Sequence, residues 1–178
     1  RLVGSEMCIR DSMKIIFILL IFIFPNIASA KNLNFTKIVN LESPWGSTFI
    51  NDNNLLITEK SGTIKLINIK NKSIGVINHN LNFLEHGQGG LLDVLFNENF
   101  VYISYSENRG NGRTSTSIAK SKFNKKDLVF KNIFQANPPI DSGYHFGSRL
   151  AIKDGYLFAS AGERGQGMIA QDPTKHPG

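Results

Sequence analysis

The side chain in this sequence best suited to acid–base chemistry is His145, in the stretch DSGYHFGSRLAI at residues 141–152. Imidazole is the side chain whose charge ordinarily changes between about pH 5 and 8, so it can act as a general base near neutrality. Gly143 and Gly147 flank it and give the backbone the freedom to project it at the start of a strand. The same pattern also fits a loop histidine that only hydrogen-bonds the local backbone. The spacing does not distinguish this role from that of a general base.

Two further glycine-rich stretches carry polar side chains. In EHGQGGLLDV, residues 85–94, Gln88 has both an amide donor and a carbonyl acceptor and can bind a polar ligand. The stretch equally fits a turn before an edge strand. In GERGQG, residues 162–167, the glycine order is not that of a dinucleotide-binding loop, so Glu163 and Arg164 either line a cleft or pair in solvent. The motifs H-E-x-x-H and G-x-S-x-G are absent from the sequence, which leaves zinc proteases and serine hydrolases unsupported.

From residue 35 onward the chain is predicted to consist of short β-strands that position these loops. The segments are rich in Ile, Val, Leu, Phe and Tyr, and most are bounded by Gly, Asn, Asp or Ser. The sequence Lys153-Asp154-Gly155 predicts a tight turn between two of them. The predicted strands are 54–59, 63–69, 74–79, 90–96, 100–106, 115–123, 128–135, 148–152 and 155–162.

An internal repeat relates three parts of the chain: STFINDNNLLITEKSG, LLDVLFNENFVYISYSEN and SRLAIKDGYLFASAGERG. Each has an apolar strand, a turn, an apolar–aromatic strand and a polar loop, with Leu56, Tyr102 and Phe158 in matching places. Four-stranded repeats of about 40–50 residues are typical of propeller blades. We therefore predict an all-β fold, a β-propeller with about two blades and the start of a third in this chain. An antiparallel sandwich, which also has short strands at regular spacing, is the alternative.

The N-terminal region has the pattern of an export signal. Residues 13–30, MKIIFILLIFIFPNIASA, have a basic start, a short apolar core and an Ala-x-Ala end, which predicts a signal peptide cleaved after Ala30. The apolar run is shorter than the roughly 20 residues of a spanning helix, although an uncleaved anchor is the alternative. Residues 1–12 fit no part of a signal and are interpreted as an artefact of translation or expression. The remaining residues, 31–178, contain no cysteine, which favours a periplasmic or secreted domain that depends on its core.

The charge distribution gives no sign of a nucleic-acid interface. The net charge is +6, and removal of residues 1–30 leaves 17 basic and 12 acidic residues. The basic residues are mostly lysines, are scattered along the chain and do not alternate with exposed aromatic residues. This pattern favours a solvated basic surface over nucleic-acid binding.

Taken in order, these stretches resemble the soluble glucose/sorbosone dehydrogenase family, periplasmic quinoprotein aldose sugar dehydrogenases that use pyrroloquinoline quinone. SPWGSTFINDNNLLITEKSGTIKLI is similar to the family's first blade and GQGGLLDVLF to the start of its second. GYHFGSRLAIKDGYLFASAGERGQ resembles its most specific stretch, and AQDPTKHPG resembles the family segment immediately after that stretch. The resemblance covers residues 40–178, close to the N-terminal half of such a protein. It implies a six-bladed β-propeller with the quinone over the central channel, of which residues 31–178 form a part.

The resemblance also implies roles for individual residues. His145 matches the family's general base, which takes the proton from the anomeric hydroxyl of an aldose while the C1 hydride passes to the quinone and a lactone forms. Gln88 matches a glutamine that contacts substrate and cofactor, and Arg149 matches a motif arginine with a structural role. Tyr144 stands where some glucose-oxidising members carry an acidic residue, so it is assigned to substrate or cofactor contact and a preference for glucose is not implied.

The resemblance further implies Ca²⁺, a small-molecule sugar substrate and an external electron acceptor. The residues that clamp the quinone carboxylates and most calcium ligands are expected beyond residue 178, so we expect the chain by itself to have little or no activity. Neither a nucleic-acid partner nor a stable membrane span after signal cleavage is expected. A calcium-dependent lactonase-type propeller and a non-catalytic propeller that binds a ligand or partner through its loops are the alternatives.

Overall fold

Regular structure in residues 33–175 is almost entirely β. The computed structural model describes residues 33–175, and the elements below all lie in the compact unit that begins at Ile38. Residues 1–12 and the signal peptide at 13–30 lie outside the described residues and stay predictions. The elements are β1 (Pro44–Asn51), β2 (Asn54–Glu59), β3 (Ile64–Asn68), β4 (Ile74–His79), β5 (Leu91–Asn97), β6 (Phe100–Asn108), β7 (Thr114–Lys122), β8 (Asp127–Leu128), β9 (Lys131–Gln135), β10 (Gly147–Lys153), β11 (Tyr156–Ala161) and a short 3-10 helix (Gly167–Gln171). Over the part of the chain that the structure describes, no helix has the length and hydropathy of a membrane span.

The strands form three successive sheets, which we call blades 1, 2 and 3. Blade 1 has the order β1-β2-β3-β4 with β8 added parallel to β4, blade 2 has the order β5-β6-β7-β9, and blade 3 as described has β10 and β11. The first strand of each blade contacts the first strand of the next, β1 against β5 and β5 against β10. Blades placed side by side through their first strands make a propeller, whereas a sandwich has two sheets face to face. The predicted propeller, with two blades and the start of a third, is confirmed.

The hairpin of blade 3 closes through the predicted turn. Lys153 pairs with Tyr156, which leaves Asp154 and Gly155 as a two-residue connection. Their φ angles are 52° and 79°, the left-handed values that a tight hairpin turn of this kind requires at both positions.

The main hydrophobic core combines residues of blades 1 and 2. It contains Leu56 and Ile64 of blade 1 and Leu91 and Ile103 of blade 2, each fully buried. Leu128 belongs to the same cluster, although it lies between β7 and β9 in the chain. The segment that connects the last two strands of blade 2 therefore contributes side chains to the interface with blade 1.

The predicted continuous strand over 128–135 is wrong. The structure divides it into β8, which pairs with β4, and β9, which pairs with β7. Phe130, between the two, is buried in the core, and its backbone bonds the side chain of Asn80 in place of a strand. The Phe130 N–H donates to Asn80 Oδ1 at 2.8 Å, and Asn80 Nδ2 donates to the Phe130 carbonyl at 3.1 Å. An amide side chain can satisfy both backbone groups, so the apolar pattern alone does not reveal the break.

A buried hydroxyl links blade 1 to blade 2. Thr58, in β2, accepts a hydrogen bond from the Gly46 N–H of its own blade at 3.0 Å. The same hydroxyl donates to the Leu92 carbonyl of β5 at 2.5 Å. The first strands are bulged at this level, which exposes backbone groups that the ladder does not pair. One side chain therefore satisfies backbone groups in two blades.

The same link recurs between blades 2 and 3. Ser104, in β6, accepts from the Asp93 N–H at 3.0 Å and donates to the Ser148 carbonyl of β10 at 2.7 Å. In β11, Ser160 repeats the first half of the pattern, accepting from the Arg149 N–H at 3.0 Å. The repeat read from the sequence is thus also a repeat of hydrogen bonds.

Candidate functional site

Two glycines bring the predicted site loops into contact. Gly87 lies in the loop between β4 and β5, and Gly143 lies in the loop between β9 and β10. A Cβ atom on Gly87 would lie 2.5 Å from the Gly143 carbonyl oxygen, and one on Gly143 would lie 3.0 Å from the Gly87 Cα. The Gln88 N–H donates to the Gly143 carbonyl at 2.7 Å. Gly143 has no positive φ, so its role here is the close approach of two backbones rather than the conformational freedom expected from the sequence.

This contact places Gln88 against His145. Gln88 Oε1 accepts a hydrogen bond from the His145 backbone N–H at 2.9 Å. Because a backbone N–H can only donate, the orientation of the amide is fixed, with Oε1 toward His145. Within residues 33–175 the Gln88 Nε2 group makes no further hydrogen bond and remains a donor for a ligand. The two residues that the sequence singled out separately therefore form one site.

The His145 side chain contacts the carboxylate of Glu163. His145 has a φ of 49°, unusual for a residue other than glycine, and its side chain is 54% exposed. Its Nδ1 atom makes a short contact with Glu163 Oε1. An ionised carboxylate can only accept, so the proton lies on Nδ1 and the Nε2 atom of the neutral ring keeps its lone pair. The contact therefore leaves an exposed acceptor nitrogen in position to take a proton.

The surroundings of Glu163 favour its ionised form. The hydrogen bond from the His145 imidazole is the main cause that lowers the pKa of Glu163 below its ordinary value of 4.5. The Gly165 N–H donates to the same oxygen at 3.1 Å. Hydrogen bonds to the charged form of a carboxyl stabilise that form, so Glu163 is an acceptor at neutral pH.

Tyr144 precedes the histidine and faces solvent. Its side chain is 60% exposed, and its ring centroid lies 6.2 Å from that of His145. An exposed aromatic ring beside a proton acceptor can pack against a ligand bound there. The structure thus brings Gln88, Tyr144 and His145 together, while the roles assigned to them stay predictions.

Arg149 has different surroundings, on the first strand of blade 3. Its guanidinium donates to Asp93 Oδ1 at 3.1 Å, and the Leu150 N–H donates to Asp93 Oδ2 at 2.9 Å. Asp93 is nearly buried, whereas the Arg149 side chain is 78% exposed. These contacts join blades 2 and 3, beside a cavity of about 270 Å³ that Trp45 also lines. The structural role implied for Arg149 stays a prediction.

No metal site is apparent in the part of the chain that the structure describes. Among residues 33–175, no three or more His, Cys, Asp or Glu side chains lie close enough together to hold an ion. His145 and Glu163 bond each other rather than converging on a common point. The described residues therefore supply no cluster of such side chains for a calcium ion.

Two contacts of this site were not predicted from the sequence. Glu163 and Arg164 neither line a cleft together nor pair with each other, because Glu163 contacts His145 and Arg164 is buried. The contact between Glu163 and His145 could have been predicted from the turn at Asp154–Gly155, since a hairpin brings together the residues before and after its turn. When the pairing of β10 with β11 is continued away from the turn, the GERG segment comes to lie beside His145.

Comparisons with known proteins agree with this fold. The family model described as "Glucose / Sorbosone dehydrogenase" matches residues 41–178. The aldose sugar dehydrogenase YliI of Escherichia coli (strain K12) is 32% identical over 148 residues, which are 78% of this chain and 40% of that protein. The chain thus spans about two fifths of the length of this relative.

Solved structures give the same result. A crystal structure of glucose dehydrogenase superposes with a TM-score of 0.72 and 34% identity over 78% of this chain and 43% of that one. The PQQ-bound form of aldose sugar dehydrogenase from Streptomyces coelicolor, 22% identical, superposes with a TM-score of 0.69 over 78% and 43% of the two chains, which supports the fold. Two and a half blades in 43% of the length correspond to about six blades in a whole propeller, as predicted. Because the family model matches most of its length, this chain belongs to the glucose/sorbosone dehydrogenase family.

Proposed function

We propose that this chain supplies the base-bearing part of a quinoprotein aldose sugar dehydrogenase, with His145 as the general base. The observation that carries the proposal is the contact of His145 Nδ1 with Glu163, which leaves Nε2 as an exposed proton acceptor. Family membership favours an oxidoreductase over the lactonase-type and non-catalytic alternatives. The relatives described above are named as glucose or aldose sugar dehydrogenases.

In the proposed reaction an aldose loses two hydrogens from its anomeric centre. His145 Nε2 takes the proton of the C1 hydroxyl, and Glu163 stabilises the resulting imidazolium while the C1–O bond becomes a carbonyl. The product is a lactone, and the imidazolium then returns its proton to solvent. Pyrroloquinoline quinone, when bound, supplies the two-electron acceptor for the hydride of C1.

The described residues fit part of a quinone site. The amide Nε2 of Gln88 is an available donor beside the base and suits a quinone or carboxylate oxygen. The exposed ring of Tyr144 suits a planar ligand or the apolar face of a sugar. These two residues would contact cofactor and substrate. Calcium and an external electron acceptor remain part of the proposal through the family resemblance alone.

The experiment uses the full reading frame that contains this chain, supplied with pyrroloquinoline quinone and Ca²⁺ and assayed with aldoses and an artificial acceptor. His145→Asn tests the base, because asparagine tolerates the positive φ at this position. We expect turnover to fall by about 10²-fold or more, and free imidazole to restore part of it at the exposed site. Wild-type turnover in His145→Asn would disprove the role of His145. Lactone hydrolysis without sugar oxidation would favour the lactonase alternative.

A further inference from the structure

Arg164 is a buried charge that the proposed reaction does not use. It is 2% exposed and is among the largest fully buried side chains in the described residues. Burial lowers the pKa of Arg164 to about 10, so the guanidinium is still charged at neutral pH. A buried charge is retained in a fold when its hydrogen bonds are satisfied, and each of the three guanidinium nitrogens of Arg164 donates at least one.

The acceptors of Arg164 lie in the loop that carries His145 and at the start of β7. Its Nε donates to the Tyr144 carbonyl at 3.0 Å, and one Nη donates to the Ser142 carbonyl. Its Nη1 donates to the carbonyl of Thr114, the first residue of β7, at 3.1 Å. The Nη2 that bonds Ser142 also donates to the Thr114 hydroxyl at 2.7 Å. Its plane covers the Phe146 ring at 3.7 Å. One side chain therefore joins the loop to blade 2.

Glu163 and Arg164 act on the same loop in opposite directions. Glu163 reaches outward to the imidazole of His145, and Arg164 reaches inward to the carbonyls just before it. The Arg164 backbone is itself held, since its N–H donates to the His145 carbonyl at 3.4 Å and its φ is 58°. Movement of the guanidinium would shift both partners of the imidazole–carboxylate contact.

We propose that Arg164 is a positioning residue for the base, which fixes the backbone at Ser142 and Tyr144 so that His145 meets Glu163 through Nδ1. The inference rests on the proposed function for its catalytic meaning, but the geometry it claims is independent of substrate and cofactor. A lysine keeps the charge but lacks the planar set of donors that reaches three backbone carbonyls at once.

The test measures which imidazole nitrogen of His145 carries the proton. Histidine labelled with ¹⁵N in the 178-residue chain reports this through its nitrogen shifts, and His145→Asn identifies the signal. Wild type is expected to show protonated Nδ1 and unprotonated Nε2. Arg164→Met is expected to give a mixture of the two forms, and Arg164→Lys to restore the wild-type pattern only in part. Arg113→Met, at an exposed arginine one residue before Thr114, is the matched control and should leave the signal unchanged.

Two further measurements separate the outcomes. Thr114→Val removes one acceptor of Arg164 and keeps the side chain volume, so it is expected to shift the signal even if Arg164→Met does not fold. In the full reading frame, Arg164→Lys should lower kcat by about 10-fold or more with little change in KM, because placement of the base affects the reacting state. A wild-type proton pattern in folded Arg164→Met, or in Thr114→Val if the former is unfolded, would overturn the inference. If the variants shift the proton pattern but the wild-type full-length protein oxidises no sugar, the proposed function is wrong and the positioning role of Arg164 stands.

Discussion

At the scale of single residues, the site depends on what each polar atom of His145 contacts. The backbone N–H is held by Gln88 and Nδ1 by Glu163, which leaves only Nε2 for a ligand. His145 has a positive φ, which raises the energy of the backbone at a residue other than glycine. The conformation persists because the bonds to Gln88 and Glu163 offset this energy. Such an arrangement is typical of a side chain presented for chemistry rather than of a loop histidine without a fixed direction.

The titration of Glu163 tests this contact. Its pKa is lowered chiefly by the hydrogen bond from His145, so the stabilisation is fully present above the ordinary value of 4.5 and is lost as pH falls through the lowered pKa. We expect ¹³C NMR of the carboxyl group to give a midpoint below 4.5, and His145→Asn to raise it. Asp172, whose pKa is lowered by the Thr174 hydroxyl, should not respond to that substitution. Equal Glu163 midpoints in the two proteins would contradict the contact.

At the scale of elements, the site is built where loops of neighbouring blades touch. The loop before β5 carries Gln88, the loop before β10 carries His145, and the segment after β11 carries Glu163. The contact between Gly87 and Gly143 brings the first two loops within hydrogen-bonding distance. The elements therefore position the site through close backbone packing, and a single added methyl group at this point should disturb it.

Two glycine substitutions separate crowding from backbone strain. Gly87 and Gly110 both have positive φ, 58° and 81°, so alanine at either should cost about 1 kcal/mol. At Gly110 nothing lies within 4 Å of the added Cβ, whereas at Gly87 the Gly143 carbonyl oxygen lies 2.5 Å away. We expect Gly87→Ala to lower the free energy of unfolding in urea by about 1–3 kcal/mol more than Gly110→Ala does. Equal losses would show that the two backbones separate easily.

At the scale of the whole molecule, buried hydroxyls and a hydrophobic core join successive blades. Thr58 and Ser104 each satisfy one N–H in their own blade and one carbonyl in the next. Arg149 and Asp93 add an ion pair between blades 2 and 3. These links fix the angle between blades and hence the distance between loops that belong to different blades.

Two serines test the blade link. Ser104→Ala leaves the buried Asp93 N–H and Ser148 carbonyl without their partner, which should lower the free energy of unfolding by about 1–3 kcal/mol. Ser160→Ala removes the equivalent hydroxyl at an exposed position, where it accepts from the Arg149 N–H, and should cost less than about 0.5 kcal/mol. Urea unfolding of both variants measures the difference. A Ser104→Ala protein as stable as Ser160→Ala would mean that the hydroxyl does not hold the blades together.

Much of the fold follows from the sequence because strands and turns depend on local patterns. The segments 54–59 and 74–79 were predicted with the bounds of β2 and β4, and the turn at Asp154–Gly155 forms as expected. The repeat marked by Leu56, Tyr102 and Phe158 places each of them in the second strand of a blade. The division of 128–135 was not predictable, because it depends on Asn80, which follows β4 and is far away in the sequence.

The partner of His145 shows what the sequence determined and what the tertiary structure decided. The turn alone specifies a ladder that begins at Lys153 and Tyr156, and an unbroken ladder would place His145 opposite Arg164. The structure has a bulge between Gly147 and Leu150, which takes up one residue in β10 and puts Glu163 there instead. The bulge is held by contacts with blade 2, where Ser104 bonds the Ser148 carbonyl and Asp93 bonds the Leu150 N–H. The sequence by itself thus supplied the histidine, the hairpin and the GERG segment. Contacts between blades decided that a carboxylate, and not a guanidinium, meets the imidazole, because a one-residue shift of register exchanges the side chains that face each other.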